Sequence, residues 1–115
     1  MDWKKIDHID QVNQIIAEST NRPVMIFKHS TSCSISAVSL SRLERCWDAD
    51  MSSLSTYYLD LLSYRDISNE IAKTFDVMHQ SPQVLVIRDG KCIHESSHFG
   101  ISCSEIKQSL PELGA

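Results

Sequence analysis

Apolar residues recur at helical spacing from Ile9 to Ala17, where Ile9, Val12, Ile15 and Ile16 share one side, and predict a first helix that starts near Asp7 or Asp10 and stops around Ser19. After Asn21 and Pro23 the run VMIF, residues 24 to 27, is short, apolar and β-favouring, which predicts a buried strand. From Ser34 to about Met51 the residues Ala37, Leu40, Leu43, Trp47 and Met51 fall at three- and four-residue steps, one stripe along a long helix. The segment TYYLDLL, residues 56 to 62, reads as a second strand, with Asp60 an odd polar residue that would cap the strand end or hold a buried water. Ser63 and Asp66 stand in capping-box relation before a helix carrying Ile67, Ile71 and Phe75 on one face and ending near Val77. In SPQVLVIRDGKCIHES the pair Asp89-Gly90 joins two strand-like runs with the chemistry of a type I′ turn, which predicts a hairpin. Gly100 breaks the chain, and Ser102-x-x-Glu105 reads as a capping box opening a short last helix over Ile106 and Leu110.

The predicted order is α-β-α-β-α-β-β-α. Two crossover helices followed by a terminal hairpin require a mixed sheet, of four strands or so, with parallel neighbours and helices on both faces. This α/β arrangement resembles the order of the thioredoxin fold. Architecture alone does not assign chemistry, because binding modules and enzymes share folds.

Composition narrows the function classes. At 115 residues, 42% apolar and 23% charged, the chain suits one domain over residues 1–115, with no repeat or low-complexity tract. No window approaches the roughly 18 apolar residues that a membrane span needs, and MDWKKIDHIDQ has no apolar core of a signal sequence, so a cytoplasmic protein without membrane contact is expected. A net charge of −4 with no basic cluster argues against nucleic acid. The four cysteines, Cys33, Cys46, Cys92 and Cys103, lack the paired spacing of a zinc site, and in a reducing compartment free thiols and no metal are expected.

Cys33 lies in HSTSCSIS, residues 29 to 36, at the junction between the first strand and the long helix. There the sulfur would meet unpaired N–H groups and the positive end of the helix dipole, which favour the nucleophilic thiolate. Lys28 and His29 are candidates for electrostatic support, with a solvated charge and a surface ring as their alternatives. Ser32, Ser34 and Ser36 are candidate donors to the anion. In Gln80-Ser81-Pro82-Gln83 a proline directly precedes a strand, and the element order makes a cis Ser81–Pro82 bond the expectation, with the Ser81 backbone turned out as an edge for an extended substrate.

A cysteine at a strand–helix junction and a proline before the hairpin resemble the thioredoxin and glutaredoxin superfamily, and SPQVLVI resembles the cis-proline segment of glutaredoxins. More closely, FKHSTSCSIS, RDISNEIAKTFDVMHQSPQVLVIRDG and SSHFGIS together resemble the monothiol bacilliredoxin family over nearly the whole length. Where that family commonly has T-C-P-I-S, this chain has Ser32 and Ser34 beside the cysteine. The resemblance implies a thioredoxin-type fold, a nucleophilic Cys33, a cis Pro82, and reduction of mixed disulfides between proteins and the small thiol bacillithiol, with no other cofactor.

Ser36 occupies the place of the second thiol of a C-x-x-C pair. Its hydroxyl can hydrogen-bond a thiolate but cannot form a disulfide, so Cys33 would take the small thiol from an S-thiolated client and wait for an external thiol to release it. Cys46 lies 13 residues along the helix, about 20 Å away, beyond disulfide reach of Cys33. Cys46 and Cys92 read as structural. Cys103, in the first turn of a helix, reads as a packing residue, with a resolving or sensory thiol as its alternative. His79 and His98 flank the site in the chain and read as surface or satisfied residues, and Trp3 and Trp47 as packing. A monothiol oxidoreductase, monomeric or weakly dimeric, is the leading expectation. A non-catalytic peptide-binding module and a thiol-based redox sensor are the rivals.

Overall fold

The computed structural model describes residues 1–110; residues 111–115, part of the single-domain expectation, lie outside the described residues. Its elements run β1 (Lys4–Lys5), α1 (Gln11–Glu18), β2 (Val24–His29), α2 (Ser34–Cys46), a 3-10 turn (Ala49–Met51), β3 (Ser55–Asp60), α3 (Arg65–Thr74), β4 (Gln83–Arg88), β5 (Lys91–Ser97), a second 3-10 turn (His98–Gly100) and α4 (Cys103–Ser109). The sheet order is β1-β3-β2-β4-β5, with β1, β3 and β2 parallel and β4 and β5 antiparallel to their neighbours. The strand beyond the four expected is β1. Two exposed lysines carry no apolar period, so only its pairing with Tyr57 and Tyr58 defines it.

Strand β2 is the centre of the molecule, hydrogen-bonded on both sides and buried at all six positions. Its side chains alternate between faces as a pleat requires. Val24 and Ile26 join Leu59, Leu85 and Ile87 under α1 and α3, packed by Val12, Ile15, Ile67 and Ile71. Met25 and Phe27 join Val84, Val86 and Ile101 under α2 and α4, packed by Leu43 and Ile106. Each fully buried large side chain here contributes on the order of 2 kcal/mol of hydrophobic stabilisation. The strand runs two residues past the expected VMIF, so Lys28 continues on the α3 face and His29 on the α2 face, both buried.

The helices differ from expectation in face and end. α1 begins at Gln11, leaving Ile9 exposed. α2 ends at Cys46 rather than near Met51, which falls in the 3-10 turn. In the first half of α2 the buried positions are Ser36 and Ser39, while Ala37 and Val38 face out. These serines are buried because they have partners: Ser36 meets His29, and Ser39 Oγ donates to the His98 carbonyl at 3.3 Å. The expected capping box at Ser63 does not form. Tyr64 is the N-cap of α3, and Ser63 Oγ donates instead to Asp60 Oδ2 at 3.0 Å, while Asp60 Oδ1 accepts the Leu62 N–H at 3.2 Å and closes the strand end. At the hairpin Asp89 and Gly90 have φ of 54° and 74°, as a type I′ turn needs. Ser102 Oγ accepts the Glu105 N–H at 3.1 Å and caps α4.

Candidate active site at the start of helix α2

Three elements meet at one end of the sheet: the end of β2, the start of α2, and the loop leading into β4. Cys33 is the N-cap residue of α2, extended at φ −108° and ψ 121°, half-buried and a free thiol. Its N–H donates to the Ser30 carbonyl at 3.1 Å, and its carbonyl opens the helix by accepting the Ala37 N–H at 3.2 Å. An N-cap side chain stands beside the first-turn N–H groups, which lack intrahelical acceptors. Among the described residues no side-chain hydrogen bond reaches the Cys33 sulfur.

The Ser36 hydroxyl, expected at the thiolate, is directed elsewhere. Ser36 is fully buried; its Oγ lies 2.6 Å from His29 Nδ1 and accepts the Ser30 N–H at 3.1 Å. Ser36 thus ties the first turn of α2 to the end of β2 and braces the 30–33 loop that presents Cys33. His29 is itself fixed by ring stacking on Phe27 at 5.8 Å and contact with Tyr58 at 5.4 Å. Burial lowers the His29 pKa, opposed by the Asp60 carboxylate on the paired strand, so the ring is held toward its neutral form. Ser32 and Ser34 are exposed beside Cys33, and Ser32 Oγ is 3.4 Å from Ser30 Oγ.

The Ser81–Pro82 bond is cis. Because Lys28 pairs with Gln83, Pro82 sits beside the His29 end of β2 and hence beside the Cys33 loop. The buried Gln83 holds this loop: its Nε2 donates to the Met78 carbonyl and to Glu95 Oε2, each at 3.0 Å. The Pro82 carbonyl accepts the His98 N–H at 3.1 Å, while the Ser81 hydroxyl is buried with no hydrogen-bond partner among the described residues.

Lys28 takes neither of its expected places. It is fully buried on the α3 face, away from the helix that carries Cys33, with Nζ donating to the Ser68 carbonyl at 3.0 Å and lying 3.4 Å from His79 Nδ1. Burial without a carboxylate partner lowers its pKa to about 8. His79 also contacts Ser68 Oγ at 3.2 Å, and its pKa is lowered by burial and by the charges of Lys28 and Arg65. Sequence reading placed His79 near the site but missed this cluster, since Lys28 and Ser68 are 40 residues apart.

The expectation of four free thiols is corrected at two positions. Cys46 and Cys103 are joined by a disulfide, with Cα atoms 6.1 Å apart across a separation of 57 residues. Neither had a local signal, because the pairing arises only when the end of α2 packs against the start of α4. Cys92 is a free thiol; burial raises its pKa, and its Sγ donates to the His94 carbonyl at 3.2 Å, as suits a structural residue. Among the described residues no cluster of three or more His, Cys, Asp or Glu could hold a metal ion, and no helix is long and apolar enough to cross a membrane.

Known proteins fit this geometry. A solved structure described as a putative oxidoreductase with a thioredoxin fold is 33% identical, covers 91% of this chain and 90% of its own, and superposes with a TM-score of 0.78. The thioredoxin of Malassezia sympodialis shares the fold at 16% identity and a TM-score of 0.74, covering 99% of this chain and 92% of its own. The oxidised thioredoxin of Plasmodium falciparum does so at 14% and 0.70, covering 99% of this chain and 100% of its own. The family model described as monothiol bacilliredoxin BrxC matches residues 4–106, nearly the whole described chain, including the Cys33 loop and the cis-proline segment. With a thioredoxin fold and that match, the chain belongs to the monothiol bacilliredoxin family.

Proposed function

We propose that the protein is a monothiol thiol–disulfide oxidoreductase that removes a small thiol, bacillithiol on the family's pattern, from S-thiolated cytoplasmic proteins. The observation that carries this reading is a free, partly exposed Cys33 at the N-cap of α2, beside a cis-proline loop, with a serine in place of a second thiol. The Cys33 thiolate attacks the small-thiol sulfur of the client's mixed disulfide. The S–S bond of the client breaks, the client sulfur leaves as a thiolate and takes a proton, and Cys33 holds the small thiol in a new mixed disulfide. Ser36 cannot displace it, because it has no thiol and its hydroxyl is held by His29 and Ser30. An external thiol then attacks the adduct and restores Cys33.

In this reading Ser36 is a positioning residue and His29 holds it. The exposed Ser32 and Ser34 are polar groups offered to the substrate, and the Ser81 backbone beside Pro82 is the edge on which an extended client lies. Exposed Ile35 and Val38 on α2, Met78 before the cis-proline and Phe99 after β5 supply apolar contact for a protein client. The His98 bonds to Pro82 and Ser39 bring the Phe99 turn to the same end of the sheet. Lys28, buried on the α3 face against Ser68, is not a partner of the thiolate.

Incubation with an S-thiolated client followed by intact-mass measurement of both proteins tests this. The adduct mass is expected to leave the client and appear once on this protein, at Cys33. A client that keeps its adduct in the presence of the unsubstituted protein, while binding it as well as it binds Cys33→Ser, would replace the enzyme with a peptide-binding module.

A further inference from the structure

The far end of α2 carries a second sulfur site, which the exchange chemistry of Cys33 does not use. Cys46, the last residue of α2, is solvent-exposed and bonded to the buried Cys103, the first residue of α4. A surface cavity of about 490 Å³ opens on this bond, lined by both cysteines, by Arg42 and Arg45 of α2, and by Ser102 and Ser104 at the start of α4. No carboxylate is among its described lining residues, and among the described residues neither guanidinium is in an ion pair. Exposed disulfides are the exchangeable ones, because attack requires access to a sulfur. Here the accessible sulfur sits in a recess whose charge is positive.

The surroundings also suit the reduced state. Both sulfurs lie against the Leu43 carbonyl oxygen, Cys46 Sγ at 3.4 Å and Cys103 Sγ at 3.7 Å. That oxygen belongs to the last turn of α2, where helix carbonyls lack an intrahelical N–H, so it can accept an S–H once the bond opens. Neither oxidation state leaves the buried Cys103 sulfur without a compatible neighbour.

We propose that Cys46–Cys103 is an exchangeable dithiol–disulfide that reacts with anionic low-molecular-weight thiols entering through the Arg42–Arg45 cavity, independently of Cys33. The incoming thiolate attacks the exposed Cys46 sulfur. The Cys46–Cys103 bond breaks, and Cys103 leaves as a thiolate that takes a proton from water. A second small thiolate then attacks the small-thiol sulfur of the Cys46 adduct, releasing Cys46 and a symmetrical small disulfide. Two electrons pass from two small thiols to the protein, and reaction with the small disulfide in the reverse direction re-forms the bond. The guanidiniums raise the local concentration of an anionic thiol and have no such effect on a neutral one.

The test uses the full chain carrying Cys33→Ser, so that failure of the Cys33 reading leaves it intact. The protein is equilibrated in mixtures of reduced and oxidised glutathione, quenched, alkylated and weighed, with circular dichroism to confirm that it remains folded. Cys46 and Cys103 are expected to become alkylated together in one two-electron transition, and a further Cys103→Ser change is expected to trap one glutathione on Cys46. Replacing Arg42 and Arg45 by Gln is expected to slow reduction by glutathione about fivefold while altering reduction by neutral 2-mercaptoethanol by less than about twofold. Added salt should reproduce that difference without any substitution. A bond that survives excess glutathione until the chain unfolds would make it a fixed staple, and two thiols that stay free in the most oxidised mixture would remove the bond altogether. Equal slowing of both small thiols would remove the cavity as the route. Any of these overturns the proposal.

Discussion

The two ends of α2 each carry a cysteine, and helix polarity treats them oppositely. At the N-terminus Cys33 stands beside first-turn N–H groups that lack intrahelical acceptors, and its thiol is free. At the C-terminus Cys46 stands among unpaired carbonyls, which disfavour an anion and accept an S–H, and there the sulfur is bonded to Cys103. The same residue type on one helix, about 20 Å apart along its axis, is a free thiol at one end and half of a disulfide at the other. Being monothiol is therefore a property of which sulfurs reach one another, and not of how many the chain contains.

The largest expected effect separates the two ends by function. Cys33→Ser abolishes uptake of the small thiol from a client, whereas Cys46→Ser with Cys103→Ser leaves it in place; intact-mass measurement of the transferred adduct checks both, and loss of transfer in the double variant would break the contrast. Iodoacetamide sharpens it, labelling Cys33 first in the oxidised protein, since Cys92 is held in its thiol form by burial and the other pair is bonded.

Next comes stability. Opening the Cys46–Cys103 bond releases a loop of 57 residues and lowers stability by about 4 kcal/mol in the chain-entropy account, read as a shift in urea midpoint between the oxidised and reduced protein. An unchanged midpoint would mean that the far end of α2 is held by packing alone.

The buried charge at the end of β2 gives the third effect. Lys28 titrates at about 8 in the folded protein against an ordinary 10.5, so the unfolded chain binds its proton more tightly. The penalty is in full force below pH 8 and is relieved as pH rises toward 10.5, so stability increases across that window by up to about 3 kcal/mol. Lys28→Met is expected to flatten this rise and to be the more stable protein at pH 7, as urea titrations at several pH values would reveal; a flat profile in the unsubstituted protein contradicts it.

The smallest effect falls on the brace of the Cys33 loop. Ser36→Ala removes the bonds to His29 Nδ1 and the Ser30 N–H and costs about 1–3 kcal/mol, with slower adduct transfer but the same reaction product. Restoration of transfer by Ser36→Thr would fit positioning through the hydroxyl; a change in which sulfur is attacked would not.

Much of this was legible in the chain. The turn at Asp89-Gly90, the cap at Ser102, the strand at VMIF and the helix beginning at Ser34 depend on residues a few positions apart, and they follow from spacing and turn chemistry. Cys33 at a helix start and the proline before β4 were visible for the same reason. The serine-lined buried face of α2 was not, because an apolar stripe over Ala37 and Leu40 is the ordinary reading, and only the ring of His29 and the carbonyl of His98 make buried serines favourable there.

Local pattern by itself determined the order of the helices and strands from α1 onward, the junction that carries Cys33 and the presence of serine where a second thiol would stand, since each is set by neighbours within one turn or one hairpin. Tertiary structure alone decided that Cys46 meets Cys103, that Lys28 is buried against Ser68, and that the Ser36 hydroxyl is taken by His29. Those outcomes join residues brought together by packing across the sheet, where periodicity carries no information about which side chain lies opposite.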